Sequence, residues 1–473
     1  MVAYGEFRSG YDNDKTDTRI VFYGIRYIIE HYVGKKWTED DVLLAGQFFN
    51  VHNSGQRFPF PTDLFLKFVR EKNGHFPVKI YALPEGTVLH AHVPVYVIVA
   101  ENEYARLVTF LETILTMIWY PSTVATLSRR AKDLIEASYA KSVDESGMWS
   151  LDSRLHDFGF RGCTTVEQSI VGGCAHLLNF TGTDTMSAGY YAQVKLNNGK
   201  PTAFSIPATE HSVMTSHKNE REAMLRLLDQ FGSGVCACVM DSYDYTAALE
   251  KVLPSVKAVK LEKGGFLVLR PDSGDPVEVV IQALRAADKL FGSVVNKKGY
   301  KVVNGVGVIQ GDGINIKTMA KILQATEEAG YAAQCVAYGM GGGLLQKVNR
   351  DTMSFATKLS KIVYQDGTER DVMKAPKTDS TKISLPGEFT VVRNSEGALV
   401  VYPVERAPPN SKNILQLVYD HGKVPKWDDF DTIRARVKSE WGQPKAFDPV
   451  SKELREKIKE VAAKQAEANL QGV

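Results

Sequence analysis

The chain of 473 residues is poor in cysteine, in unbalanced charge and in long apolar runs. Its five cysteines are Cys163, Cys174, Cys236, Cys238 and Cys335, with no C-x-x-C among them. An odd, scattered set excludes a disulfide scaffold. Cys236 and Cys238, two apart, would share one face of a strand rather than surround a metal. All five are expected to be small buried hydrophobes in a reducing compartment. Lys+Arg number 57 and Asp+Glu 55, a formal charge of +2. That balance excludes a global field drawing the protein onto nucleic acid or a membrane surface, but not a local anion site. The longest apolar stretch, 107–120, is too short to span a bilayer and contains Glu112. Met1 to Gly10 has no apolar signal-peptide core, so a cytoplasmic location is expected. There is no internal repeat and no low-complexity linker. Hydrophobic residues at 44% and charged residues at 24% describe an ordinary globular chain.

What is present is an α/β rhythm. In the first 120 residues, apolar spacing predicts helices at 20–33, 42–50, 62–71 and 103–117, the last stopped by Pro121, then another at 128–139. Val-, Ile- and Tyr-rich runs at 78–82 and 93–99 predict strands. From about Leu151, short apolar runs alternate with helical stretches. Strands are expected at 203–207, 235–240, 266–270, 306–310 and 335–338. The helices between them are expected at 165–178, 220–230, 245–253, 276–290 and 316–329. Repeated strand–helix units argue for a parallel sheet, open or closed into a barrel. After about Thr357 the pattern is mixed again, and 451–468 reads as an amphipathic tail helix. Three segments follow: 1–145 and 358–473 as two parts of one mixed α/β domain, and 146–357 as an α/β barrel.

Polar or glycine-rich clusters follow the expected strands, where ligands bind in parallel α/β folds. Gly339-Met-Gly-Gly-Gly-Leu-Leu-Gln-Lys347 follows a strand and opens a helix. Its glycines, Gly341 and Gly342 among them, would let backbone N–H groups close on an anion; a plain tight turn is the alternative. Arg350 lies beyond and could clamp the same phosphate, or be a surface arginine. Arg270-Pro-Asp-Ser-Gly274 sets a guanidinium suited to phosphate beside Asp272, a carboxylate suited to Mg²⁺ or a ribose hydroxyl. Asp312 stands between Gly311 and Gly313, which would clear room for a ligand. His211, after Glu210, could be acid, base or nucleophile. His90 and His92 are read as structural residues sharing a strand face. Phe158 and Arg161, in His156-Asp-Phe-Gly-Phe-Arg-Gly162, could stack on and contact a planar heterocycle. Asp184 is presented by the turn 180–185, as a ligand acceptor or a helix cap.

Taken together, these clusters resemble the nicotinamide phosphoribosyltransferases of the type II phosphoribosyltransferase family. The match runs in the family's order from Val21-Phe-Tyr-Gly24 through Trp119-Tyr-Pro-Ser122, Gly182-Thr-Asp184, Pro207-Ala-Thr-Glu-His211 and Asp241-Ser-Tyr-Asp244 to Gly341-Gly-Gly-Leu-Leu-Gln-Lys347. The resemblance implies an irregular α/β barrel, a second mixed domain built from both chain ends, and a homodimer with active sites at the subunit interface. It implies a reaction joining nicotinamide to phosphoribosyl pyrophosphate, with Mg²⁺, giving the mononucleotide and pyrophosphate for NAD salvage, and ATP hydrolysis through a phosphohistidine. On this reading His211, Asp272 and Asp241 are catalytic, His211 being the phosphorylated residue. Asp241 and Asp272 are the expected holders of Mg²⁺. Phe158 would stack on the pyridine, with Arg161 near the carboxamide oxygen and Asp184 accepting from the amide. Arg270, Gly341, Gly342, Arg350 and Arg8 would hold phosphate groups. Asp272 and Asp312, beside Gly311, would take ribose hydroxyls.

There is one departure. Family members usually begin with a segment of the form Asp-x-Tyr-Lys-x-x-His, which normally supplies a second stacking ring across the dimer. The chain as written has no such segment, which predicts weaker nicotinamide binding by on the order of 1–3 kcal/mol, by analogy with nucleobase stacking. Two alternatives stand beside the main reading. One is a nicotinate phosphoribosyltransferase sharing the fold and the histidine. The other is a catalytically weak or silent relative.

Overall fold

A computed structural model describes residues 1–52, 54, 56, 60–378 and 380–471. The chain divides into two compact units. One is Met1–Thr126 with Asn349–Val473, the other Leu127–Val348. The first boundary lies inside one helix, Trp119–Ser142, and the second just after the glycine-rich segment. The bounds read from sequence stood at 145/146 and 357/358.

The chain-end unit is built on a six-stranded antiparallel sheet. Its order is Glu369–Asp371, Ala356–Val363, Val2–Glu6, Pro94–Val99, Lys79–Ala82 and Gln416–Asp420. Strands from the start and the end of the chain are therefore neighbours in one sheet. Val2–Glu6 is paired on both sides and buried at every position. The core gathers Tyr4, Phe7, Phe65, Phe68, Tyr96, Phe389 and Tyr419. Helix Thr62–Glu71 matches the expected span and buries Phe65 and Phe68. The helix expected at 20–33 begins later, at Ile25. Ile20–Val21 pairs instead with Val88–Leu89, and the Glu85 carboxylate accepts from the Gly24 and Arg26 N–H groups at the helix start. The stretch 103–117 falls into short pieces. Pro121 does not end a helix. It sits third in Trp119–Ser142, where its missing N–H costs no intrahelical bond.

The second unit carries a parallel sheet in the order Leu155–Asp157, Val336–Met340, Val306–Gln310, Phe266–Arg270, Val235–Val239. The sheet curls. Single parallel bridges, Asp157–Thr183, Gly182–Phe204 and Ala208–Ala237, carry backbone pairing from one edge strand round to the other. The result is the irregular α/β barrel expected. The strand expected at 203–207 is only a bridge at Phe204 in an otherwise extended segment. Alternation sorts the side chains: Ala237, Val268, Ile309 and Ala337 meet inside with Phe158 and Ile206, while Leu267, Leu269, Val308 and Tyr338 are buried outside the inner cluster. Helices Val166–Leu177, Glu220–Phe231, Pro276–Phe291 and Ile316–Glu328 surround the sheet. Each starts behind a side-chain cap, at Thr165, Asn219, Asp275 and Asn315. The five cysteines are all free, four of them buried. No single helix among the described residues is long and apolar enough to cross a membrane.

Candidate active site

At the C-terminal ends of the barrel strands the structure assembles His211, Asp241, Arg270 and Asp272. His211 is the first residue of a short helix, His211–Ser216. Its Nε2 lies 3.0 Å from Asp241 Oδ1 and its Nδ1 3.9 Å from Asp272 Oδ2. The second Asp241 oxygen accepts from the Ser273 hydroxyl and from the Asp272 backbone N–H at 3.1 Å. Burial pushes the Asp241 carboxyl up, but the bonds from Ser273 and His211, the His211 charge and the Asp272 N–H together hold it below the usual carboxylate range. Arg270 Nη2 donates to Asp272 Oδ1 at 2.8 Å. The Arg270 guanidinium lies 5.5 Å from the centroid of the Phe158 ring, and its buried Nε has no hydrogen-bond partner.

Phe158 is held by its surroundings. Its backbone N–H donates to Met340 O at 3.0 Å. A Cβ placed at Gly339 would stand 2.1 Å from the Phe158 ring, and one at Gly311 would stand 2.8 Å from it. These glycines make the slot for an aromatic ring. Gly311, expected to clear room for a ligand beside Asp312, makes room for Phe158 instead. The neighbouring Asp157 is buried, its Oδ1 accepting from the Gly159 N–H at 2.7 Å. Burial pushes its carboxyl up to about 7, against the pull of that N–H.

Phe158 and Arg270 line a cavity of about 380 Å³ inside the barrel. Most of its lining is apolar, including Ala237, Val268, Ile309 and Ala337. Asp184, Ser205 and His156 add polar groups. Ser205 donates its hydroxyl to Asp184 Oδ1, and the Asp184 N–H donates to Asp157 O at 3.0 Å. Burial and Arg154 lower the His156 pKa, against the Asp184 charge. The rim thus offers an aromatic face, an exposed carboxylate and a guanidinium around one apolar space. Arg161 and Asp312 are exposed and lie outside this lining. Gly341 precedes and Gly342 opens a helix of only four residues, Gly342–Leu345, so no macrodipole of any length supports them.

Arg8 and Arg350 belong to the chain-end unit. There they line a cavity of about 510 Å³ with Lys15, Lys358, Lys374 and Lys382. Burial, with the charges of Arg8 and Lys374, lowers the Lys358 pKa. Asp351 is the acidic residue of the lining, 3.6 Å from Arg350 Nη2. The four lysines carry no joint sequence signal, because they come from three separate segments with no motif of their own.

Among the described residues no three of His, Cys, Asp and Glu group so as to hold a metal ion. Both Asp241 oxygens are engaged with protein donors, whereas Asp272 Oδ2 makes no hydrogen bond. Of the two residues expected to hold Mg²⁺, Asp272 is therefore the one suited to it.

Residues 153–409 match the model of the nicotinate phosphoribosyltransferase family. A nicotinamide phosphoribosyltransferase of Xanthomonas campestris is 38% identical over 446 residues, 92% of each chain. One from Acinetobacter baylyi is 30% identical over 458 residues, 89% of this chain and 88% of the other. Among solved structures, human nicotinic acid phosphoribosyltransferase superposes with a TM-score of 0.64 at 16% identity, covering 97% of this chain and 95% of that one. Nicotinate-nucleotide pyrophosphorylase from Pyrococcus furiosus gives 0.60, also at 16% identity, over 93% and 88%. At that identity these two establish the fold.

Proposed function

The chain belongs to the nicotinate phosphoribosyltransferase family, and from that premise we propose that it joins nicotinamide to phosphoribosyl pyrophosphate. The observation that carries this reading is Phe158, slotted between Gly311 and Gly339 beside a cavity that Asp184 also lines. Breaking the bond from C1 to pyrophosphate builds an oxocarbenium-like centre, and cations neutralise the leaving charge. Arg270 supplies one of them, and Mg²⁺, when bound with Asp272 and the substrate phosphates, supplies further neutralisation. The pyridine nitrogen then attacks C1, aimed by stacking on Phe158 and by an amide hydrogen bond to Asp184. A carboxylate at 184 accepts from an amide and repels nicotinate, which favours nicotinamide over the acid.

His211 is the proposed site of transient phosphorylation by ATP. With Nε2–H donating to Asp241, the lone pair resides on Nδ1. Nδ1 attacks the γ-phosphoryl group, ADP departs with the bridging oxygen, and the ring's positive charge is held against Asp241. The basic cavity of Arg8, Arg350 and Lys358 is suited to phosphate groups of the ribosyl substrate. We read the protein as cytoplasmic and as a homodimer; the exposure of Met186, Tyr190 and Phe204 on the barrel unit supports a protein partner there. Product analysis tests the reading. Protein, phosphoribosyl pyrophosphate, Mg²⁺ and ATP are mixed with nicotinamide or nicotinic acid, and nicotinamide mononucleotide is the expected product. Exclusive formation of nicotinate mononucleotide would select the alternative substrate.

A further inference from the structure

His92 was expected on a strand face. It lies instead in the turn before strand Pro94–Val99, with φ of +73°. A histidine in the left-handed region is strained relative to glycine, and such strain persists where the surroundings demand the side chain. Those surroundings are specific. The His92 backbone N–H donates to Phe7 O at 2.7 Å, and its Nδ1 lies 3.3 Å from Glu6 Oε2. Glu6 is fully buried, and its other oxygen accepts from Arg8 Nε at 3.2 Å. Between Gly5 and Glu6 the pairing with Pro94–Val99 shifts register, an irregularity of the kind that re-aims side chains.

The consequence falls on Arg8. Its Nε is held by Glu6, while its buried Nη2 has no protein partner, and the residue lines the basic cavity. Lys358 lines the same cavity and its charge and that of the guanidinium repel each other, with Lys374 adding a further positive charge to the lining. A buried carboxylate clamped at both oxygens would hold the guanidinium in place against them.

We propose that His92 and Glu6 are positioning residues that aim the Arg8 guanidinium at a phosphate group of the phosphoribosyl substrate. His92 fixes the carboxylate, the carboxylate fixes Nε, and the Nη groups are left for the ligand. The proposal rests on reading the basic cavity as a phosphate site, so both are tested together. His92→Gly removes the imidazole and relieves the positive φ, so folding is preserved. It is expected to raise the KM for phosphoribosyl pyrophosphate about 5-fold with kcat and melting temperature unchanged, the scale of one ordinary hydrogen bond. His92→Asn tolerates the same φ and puts an N–H donor, Nδ2, at the position of the imidazole Nδ1. It is expected to keep the KM within about twofold of the parent. Arg8→Ala serves as reference and should raise the KM at least as much as His92→Gly. If Arg8→Ala raises the KM and His92→Gly does not, the positioning role is overturned and the phosphate site stands. If Arg8→Ala has no effect, the phosphate reading fails and takes the proposal with it. If His92→Gly lowers kcat and melting temperature together and His92→Asn does not restore them, the residue is merely structural and the proposal is overturned.

Discussion

The two cavities differ in almost every respect that a ligand could sense. The one in the barrel is lined largely by aliphatic and aromatic side chains, with Arg154, His156, Asp184, Ser205 and Arg270 among its polar groups. The one in the chain-end unit is lined by two arginines and four lysines against a single carboxylate, Asp351. The first can select a flat, weakly polar ring by shape and one or two hydrogen bonds. The second can select little beyond negative charge. A net charge of +2 over the whole chain conceals that contrast, because the chain's 55 acidic residues, nearly all of them outside this cavity, offset the local excess.

The contrast can be broken most severely at Gly339. Gly339→Ala places a methyl group against the Phe158 ring, which must leave its slot. A fall in kcat/KM for nicotinamide of about 100-fold is expected, from lost stacking and misdirected attack, and steady-state kinetics would measure it. Labelling of His211 by ATP should be far less affected. A next, smaller effect is expected from the double substitution Arg350→Ala with Lys358→Ala. The KM for phosphoribosyl pyrophosphate should rise about 10- to 30-fold, while that for nicotinamide stays within about twofold. An equal rise in both would mean the two cavities do not divide the substrates as argued. Asp184→Ala sharpens the polar edge of the apolar cavity. The preference for nicotinamide over nicotinate should fall about 10-fold, read from the ratio of the two kcat/KM values. An unchanged ratio would count heavily against the nicotinamide assignment.

The smallest effect concerns stability. Asp157 is raised from its ordinary 3.8 to about 7 by burial. The folded state therefore binds a proton that the unfolded state has released between those two values. That contribution is fully present below about pH 4 and is lost as pH rises through about 7. Asp157→Asn cannot ionise, so its melting temperature should gain on the parent between pH 5 and pH 8 by about 2–4 °C, whatever constant offset the amide adds. Parallel pH profiles for the two proteins would show that Asp157 does not titrate there.

Much of the barrel was legible because its signals are local. Strands Phe266–Arg270 and Val306–Gln310 match the expected spans, and the helices begin at caps one residue ahead of their first turn. His211, Asp241, Arg270 and Asp272 were each visible as a polar residue after an apolar run, and the parallel sheet brings them to one rim. The segment 203–207 has the alternation of a strand at Phe204 and Ile206, yet a single bridge, at Phe204, forms there. The function of Gly311 and Gly339 was hidden because the ring they admit, Phe158, is more than 150 residues away along the chain. His92, expected on a strand face and structural, stands in a turn. Its meaning depends on a backbone angle and on Glu6, neither of which a spacing rule contains.

The single bridges that close the barrel have a mechanical implication. Elsewhere the wall is laced by continuous ladders of parallel pairs, so its width is fixed. Between Asp157 and Ala237 it is stitched at three points. That seam carries Asp184 and Ser205, the polar edge of the apolar cavity. It is the side of the container that can yield at least cost. Differences among pyridine rings in size or substituent should therefore be absorbed there, leaving Phe158, slotted against Gly311 and Gly339, as the fixed jaw of the clamp.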